Sequence, residues 1–296
     1  MSAAELNDLR RKALCGLSEK ILAHNSHDYK LYKPEPVPVV TDKRIRTEFR
    51  CEVATAEQLR QVLSEDEYAY IYAPMELLDE STPDKFRIIA VPPLFLADCE
   101  EKIKSRLALL KSNGFIHAAA HTLSHVELIK SVGMTPHGTF RLNITNSYAL
   151  DEYKKLGLAD ATLSIELLMS DAQKLCADSS LKTGIVGYGR IPLMITRRCP
   201  ISNGKPCGKA KNPDCPHSIT DRQGNRLLCL CSENTTEIYN PDIMFLSDRQ
   251  KDINSFDFVL LKFTDETDTD AVLQIYLNDI KPDGKLTRGL YYRGVI

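Results

Sequence analysis

The sequence predicts an α/β fold: a (β/α) TIM-like barrel, incomplete or altered in its last unit, with a cysteine-rich insertion. Three observations carry this expectation. Short apolar strand-like runs alternate with amphipathic helix-like runs from Phe49 to Cys176, which is how a parallel sheet built of strand–helix units reads. Gly114, Gly133 and Gly157 stand just after three of the helical runs, where a left-handed stop favours glycine. The alternation then gives way to a thiol-rich stretch, residues 199 to 231, before a last apolar run at Phe258 to Phe263. An open doubly wound sheet is the alternative architecture.

In chain order, residues 1–43 read as an amphipathic helix (Ala3 to Ala23) and a proline-broken linker, Tyr32 to Val40, where the prolines bar both helix and interior strand. The barrel is expected over 44–296, with a cysteine-rich segment at 197–232. Its strands are expected at Phe49–Ala54, Ala69–Ala73, Phe86–Val91, Phe115–Ala119, Thr139–Ile144, Ala161–Ile165 and Ile191–Thr196. Helices fall between most of them, among them Ala56–Leu63, Leu96–Lys111, Ser124–Ser131, Ala149–Leu156 and Met169–Cys176. A final strand at Phe258–Phe263 precedes a helix from about Asp268 to Leu277.

Composition bounds the function. A hydrophobic content of 43% and a charged content of 26% in 296 residues describe a soluble globular chain. A formal net charge of -2 gives no overall drive towards nucleic acid or membrane. No stretch reaches the length of a transmembrane helix, and the N-terminus lacks the apolar core of a signal peptide. A cytoplasmic, reducing location without membrane attachment is therefore expected. Charge is uneven locally: from Arg190 to Arg226 eight Lys/Arg face two acids, Asp214 and Asp221, which suits an anionic ligand, a thiolate centre or simply a solvated basic loop.

In a parallel barrel, functional side chains gather at the carboxyl ends of the strands. His121 and Glu166 are the catalytic candidates there. Glu166 follows an apolar strand and could serve as general acid/base or as a carboxylate favoured by a helix N-terminus. Asn143 and Asn146 could orient a substrate through their amides, although Asn146 also stands where it would cap the next helix. Arg190, Arg197 and Arg198 lead into the thiol segment and are candidate contacts for an anionic substrate. His117, His121 and His125 are spaced by four, but His117 falls in an expected strand, so no helical metal trio is expected. Dinucleotide, phosphate-loop and HExxH motifs are absent.

Five of the nine cysteines, Cys199, Cys207, Cys215, Cys229 and Cys231, lie in the segment 199 to 231. Thiols gathered in a polar, Gly/Pro-rich loop suit a thiolate-held metal or iron–sulfur site, whose ligands fold a loop with no apolar core. Seven residues separate Cys199 from Cys207 and Cys207 from Cys215, and thirteen lie between Cys215 and Cys229. That spacing is not the paired Cys-x-x-Cys of a zinc ribbon. Cys229 and Cys231 share one face of an extended segment, so either could complete the ligand set.

The runs EVAT, YIYAP, IIAVPP, LNITNSYALDEYKKLG, LSIELLMS and GYGRIPLMITRRCPI, followed by TDRQGN, EIYNPDIMFL and LTRGLYYRGV, resemble the collagenase-like peptidase family U32. The resemblance extends over nearly everything from residue 47 onward. The opening ELNDLRRKAL is similar to the hinge before a second region of longer members, which implies that the N-terminal U32 barrel of such a protein is a partner. The family name implies a peptidase. Other members carry a four-iron four-sulfur (4Fe-4S) cluster and hydroxylate RNA bases or ubiquinone precursors. Carried over by position, the resemblance implies Cys199, Cys207, Cys215 and Cys229 or Cys231 as cluster ligands and Glu166 as the glutamate after the sixth strand. It departs at Ile191 to Met194, where cluster-bearing barrels have a cysteine and this chain has none, so zinc or an empty loop stands beside the cluster. The expected function is cluster- or metal-dependent RNA base modification, with a peptidase or a non-catalytic accessory domain as alternatives.

Overall fold

The computed structural model describes residues 2–26, 47–95, 99–202, 217–231, 235–280 and 286–293. Two compact units are present, 1–36 and 37–296. Within the first, helix α1 (Ala3–Asn25) is opened by a capping box: the Ser2 side chain accepts from the Glu5 amide, and Glu5 reaches back to the Ser2 amide. Its leucines, Leu6, Leu9, Leu14 and Leu17 among them, are exposed. The proline-rich linker lies outside the described residues.

The second unit is a closed barrel. Seven strands run in order: β1 (Glu48–Glu52), β2 (Tyr68–Pro74), β3 (Ile88–Val91), β4 (His117–Ala120), β5 (Thr135–Gly138), β6 (Asp160–Thr162) and β7 (Lys182–Thr196). Each pairs in parallel with the next through β7. Beyond the barrel wall come β8 (Ser218–Thr220), β9 (Arg226–Cys231) and β10 (Thr236–Phe245), all antiparallel. Then β11 (Phe258–Lys262) enters between β7 and β1, parallel to both, and closes the eight-strand ring. A two-residue strand, β12 (Leu286–Thr287), pairs with β10. The expected barrel is thus complete, and the alteration is an insertion between its seventh and eighth strands.

Helices α2 (Ala56–Leu63), α3 (Glu100–Ser112), α4 (Leu123–Ser131), α5 (Ser147–Leu156), α6 (Met169–Asp178) and α8 (Thr269–Leu277) follow barrel strands, and the short α7 (Gln250–Ile253) precedes β11. Local sequence sets their ends. Thr55 and Gln58 form a capping box on α2, Asn146 and Asp268 cap α5 and α8 through their side chains, and Gly157 ends α5 at φ 101°. Leu59, Val62, Ile103, Leu107, Leu110, Val126 and Ile129 turn from these helices onto the sheet and form the main core with Cys51, Ile71, Ile88 and Ala118.

Two expected strands were misplaced. Thr139–Ile144 is not a strand: Phe140–Leu142 is a 3-10 turn that ends with Asn143 in the left-handed region at φ 51°. The wall strand is the preceding Thr135–Gly138, a Pro/Gly-containing run of poor strand propensity held by its neighbours. The seventh wall strand is likewise the glycine-bearing first half of β7, near 182–188, whereas the expected Ile191–Thr196 is its continuation beyond the barrel.

Gly189 stands at that transition. Its φ of 121° is one that L side chains avoid, and a Cβ there would come within 2.1 Å of the Lys262 carbonyl oxygen. From Tyr188 onward β7 pairs antiparallel with β10 and leaves the wall as an arm. Arg190 staples the arm's base: its Nε lies 3.2 Å from the Asp265 carboxylate, and its guanidinium donates to the backbone carbonyls of Asn240 and Pro241.

The barrel interior is polar where such interiors are usually filled by Val, Ile and Leu. Arg50 of β1 is fully buried, with its guanidinium 3.6 Å from the Phe258 ring centroid and Nη1 2.8 Å from Asp160 Oδ2. His137 Nδ1 lies 2.9 Å from the same oxygen, and His137 Nε2 lies 2.9 Å from His117 Nδ1. Burial alone would raise the Asp160 carboxyl, but the Arg50 charge and the His137 contact hold it down at about 2.

Candidate functional site at the barrel mouth

The carboxyl ends of the strands converge on a network that only the closed ring can assemble. Glu52 ends β1 and Lys262 ends β11. The two are partners in the parallel register, and their side chains form an ion pair. Among the described residues Lys262 is the one buried lysine. Its Nζ lies 6.0 Å from the Tyr239 ring centroid.

Tyr239 comes from the arm. Its hydroxyl donates to Glu237, two residues back on β10, and Glu237 also pairs with Arg141 in the turn after β5. An extended strand alternates its faces, so Glu237 and Tyr239 share one face of β10 while Thr236 and Ile238 share the other. Thr236 is in register with Cys231 and Ile238 with Cys229. One strand therefore presents an acid–phenol pair on one face and stands beside two thiols on the other.

The arm reaches segments that follow other strands of the ring. Counted round the closed ring, β3 is the strand opposite β7. Arg197, one residue past the end of β7, lies over Phe95 in the loop that follows β3, with its guanidinium carbon 5.8 Å from the ring centroid. The Arg141–Glu237 pair ties the same arm to the segment after β5.

His121, expected at a strand end, follows β4 and is brought into this region. Its Nδ1 lies 3.0 Å from Thr139 Oγ1, and its ring meets that of His125 edge-on at 5.4 Å. Burial, then the charges of His125, Arg141 and Lys262, push the His121 imidazole well below its ordinary value. It is therefore neutral at physiological pH. Burial and then the Glu237 carboxylate push the Tyr239 phenol well above its ordinary value, so Tyr239 stays a hydroxyl donor.

The other expected residues take different places. Asn143 Oδ1 accepts from Ser164 Oγ at 2.5 Å. Asn146 Oδ1 caps α5 by accepting from the Ala149 amide at 2.9 Å. Glu166 is exposed in the segment between β6 and α6, with its backbone amide donating to Ser164 Oγ at 3.2 Å. His117 is in β4 and His125 in α4, so the spacing of four forms no helical trio. Arg190 holds the arm, while Arg197 and Arg198 are exposed at its tip.

Of the thiols, Cys229 is buried and Cys231 and Cys199 are half-buried, with Cys231 Sγ 3.5 Å from Thr236 Oγ1. Cys207 and Cys215 lie outside the described residues. Among the described residues no three His, Cys, Asp or Glu side chains are grouped to hold a metal ion. The strand ladder is nonetheless compatible with a thiolate centre. Cys231 is in register with Thr236, which is in register with Thr196, three residues before Cys199.

The site residues that sequence reasoning missed are Glu52, Arg141, Glu237, Tyr239 and Lys262. A signal for two of them exists: Glu52 alternates with Phe49 and Cys51 in the strand EFRCE, and Lys262 is the one charged residue of the apolar run FVLLK.

Fold and site together define a (β/α)8-barrel protein with a buried polar network at the carboxyl ends of its strands and an inserted arm that contributes to it. Residues 89–228 match the model of Peptidase family U32, so the U32 resemblance stands across that segment, from the third strand to the thiol hairpin. The structure of the U32 peptidase Mk0906 is 12% identical, with 77% of this chain and 97% of that chain covered at a TM-score of 0.45. No curated protein matches the chain. Among the described residues no helix is long and apolar enough to cross a membrane.

Proposed function

We propose that the protein is a barrel enzyme that modifies a nucleobase of RNA at its carboxyl-end opening. The observation that carries this reading is the two-faced strand β10, which sets the Glu237–Tyr239 pair toward Arg141 and Lys262 and lies in register with Cys229 and Cys231. Such an arrangement places a thiol-bearing arm beside a buried donor–acceptor network suited to a flat polar ring. Lys262 and the Tyr239 hydroxyl serve as donors, Glu52 and Glu237 hold them in place, and neutral His121 accepts or gives a proton. The basic excess from Arg190 to Arg226 suits the phosphates that accompany a base.

Cys199 and Cys231, with Cys207, Cys215 or Cys229, would hold the metal centre, a 4Fe-4S cluster or zinc. Such a centre supplies electron transfer in the first case and Lewis acidity in the second. A peptidase is the less favoured reading, because no nucleophile–histidine–carboxylate constellation occurs among the described residues.

Mass-spectrometric nucleoside analysis of RNA from cells making the wild type or Lys262→Met tests the proposal. A nucleoside present with the wild type and lost with the variant supports it. Identical nucleoside profiles, with Lys262-dependent cleavage of peptides, would replace it with the peptidase reading.

A further inference from the structure

The tip of the arm carries a feature that the acid–base network does not use. Phe95, 41% exposed, stands on the rim after β3, and Arg197 reaches it from the opposite strand with its guanidinium carbon 5.8 Å from the ring centroid. Arg198 is exposed beside it, and Leu193 and Met194 on the arm are 57% and 58% exposed. A planar cation thus lies against an exposed aromatic ring at the carboxyl-end rim of the barrel, with further exposed apolar and basic side chains next to it.

We infer that Phe95 and Arg197 form a stacking platform for an unpaired base of single-stranded RNA next to the base entering the opening. The inference rests on the nucleobase reading above and names the form of its substrate. Both side chains offer a flat π face, which suits any base and needs no sequence readout. The Arg197 charge is placed to meet the adjoining phosphate, and guanidinium planes stack on bases as well as on arenes. A duplex keeps its bases stacked on one another, so the platform selects single strands. An acidic peptide would satisfy the charge but leave the exposed ring unused.

Fluorescence anisotropy with a fluorescein-labelled oligouridine, and with the same phosphodiester backbone carrying abasic sites, tests this on the full chain. The wild type is expected to bind oligouridine more tightly than the abasic strand. Phe95→Ala is expected to lose roughly tenfold in affinity for oligouridine and little for the abasic strand, while Phe95→Tyr retains both. Arg197→Lys is expected to keep the salt dependence yet weaken oligouridine binding, and Arg197→Ala to reduce the salt slope by about one.

Equal binding of the two strands by the wild type, unchanged affinity in Phe95→Ala, or an acidic peptide bound through Phe95 in place of RNA would each overturn the inference. Because Phe95 is on the surface, its replacement leaves the core intact, and the tyrosine variant controls for local disturbance. Oligouridine binding that persists in Lys262→Met without any RNA product would separate a failure of the chemistry from a failure of the platform.

Discussion

Gly189 and Lys262 touch backbone to backbone: a Cβ on Gly189 would lie 2.1 Å from the carbonyl oxygen of Lys262. The contact joins the point where the arm leaves the barrel to the strand that carries the buried lysine. Gly189→Ala must relieve both this overlap and a φ of 121°. A loss of at least about 2 kcal/mol in urea unfolding is expected, with Lys262-dependent activity falling alongside. A variant as stable as the wild type would show that the arm sits elsewhere.

Arg50 and Asp160 form a buried ion pair across the barrel interior at 2.8 Å. Asp160→Asn removes the nearer of two counter-ions, leaving the buried guanidinium with Glu48 at 3.5 Å, and is expected to cost about 3 kcal/mol. Arg50→Met combined with Asp160→Leu is expected to recover much of that loss. A double-mutant cycle by chemical denaturation measures the coupling, and additive losses would contradict it.

Acid should weaken the barrel through its histidines. Burial, then the neighbouring His137, holds the His117 imidazole down at about 4, against an ordinary value of 6.5. Below 6.5 the unfolded chain binds a proton that the folded chain refuses, so stability falls as pH drops from about 6.5 to 4. His121 is also pushed down and acts in the same direction. Asp160, held at about 2, loses its stabilising charge only below its ordinary value of 3.8. Urea midpoints between pH 7 and pH 5 check this, and His117→Asn should flatten the slope without abolishing it.

The arm's latch is the Glu237 carboxylate, which bonds both Tyr239 and Arg141. Tyr239→Phe is expected to keep the fold, since the buried ring remains, and to lower product formation by about tenfold through loss of the hydroxyl's hydrogen bond. A pH–rate profile and a melting curve taken together distinguish loss of chemistry from loss of packing.

The barrel was legible because its signals are local and repeated. Apolar runs such as Tyr68–Pro74 and Phe258–Lys262, amphipathic helices, and glycine stops at Gly114, Gly133 and Gly157 each report one unit. Thr135–Gly138 escaped because Pro136 and Gly138 oppose strand propensity, and ring closure overrides them. Lys182–Tyr188 escaped because Gly184 and Gly187 look like loop, yet both let the Phe258 and Val259 side chains approach. His121 directly follows β4, a position that the local apolar run already indicates. Lys262, Glu52 and Tyr239 were missed because they lie far apart in the chain and meet only when β11 enters between β7 and β1.

Thiols beside β10 are central to the proposed chemistry on its other face. Iron, acid-labile sulfide and zinc determined on protein purified without oxygen, with a visible absorption spectrum, tests this most directly. The expected result is a stoichiometric thiolate-bound centre that is lost in both Cys199→Ser and Cys231→Ser while the barrel melts as before. Fully folded, active protein containing neither iron nor zinc would contradict it.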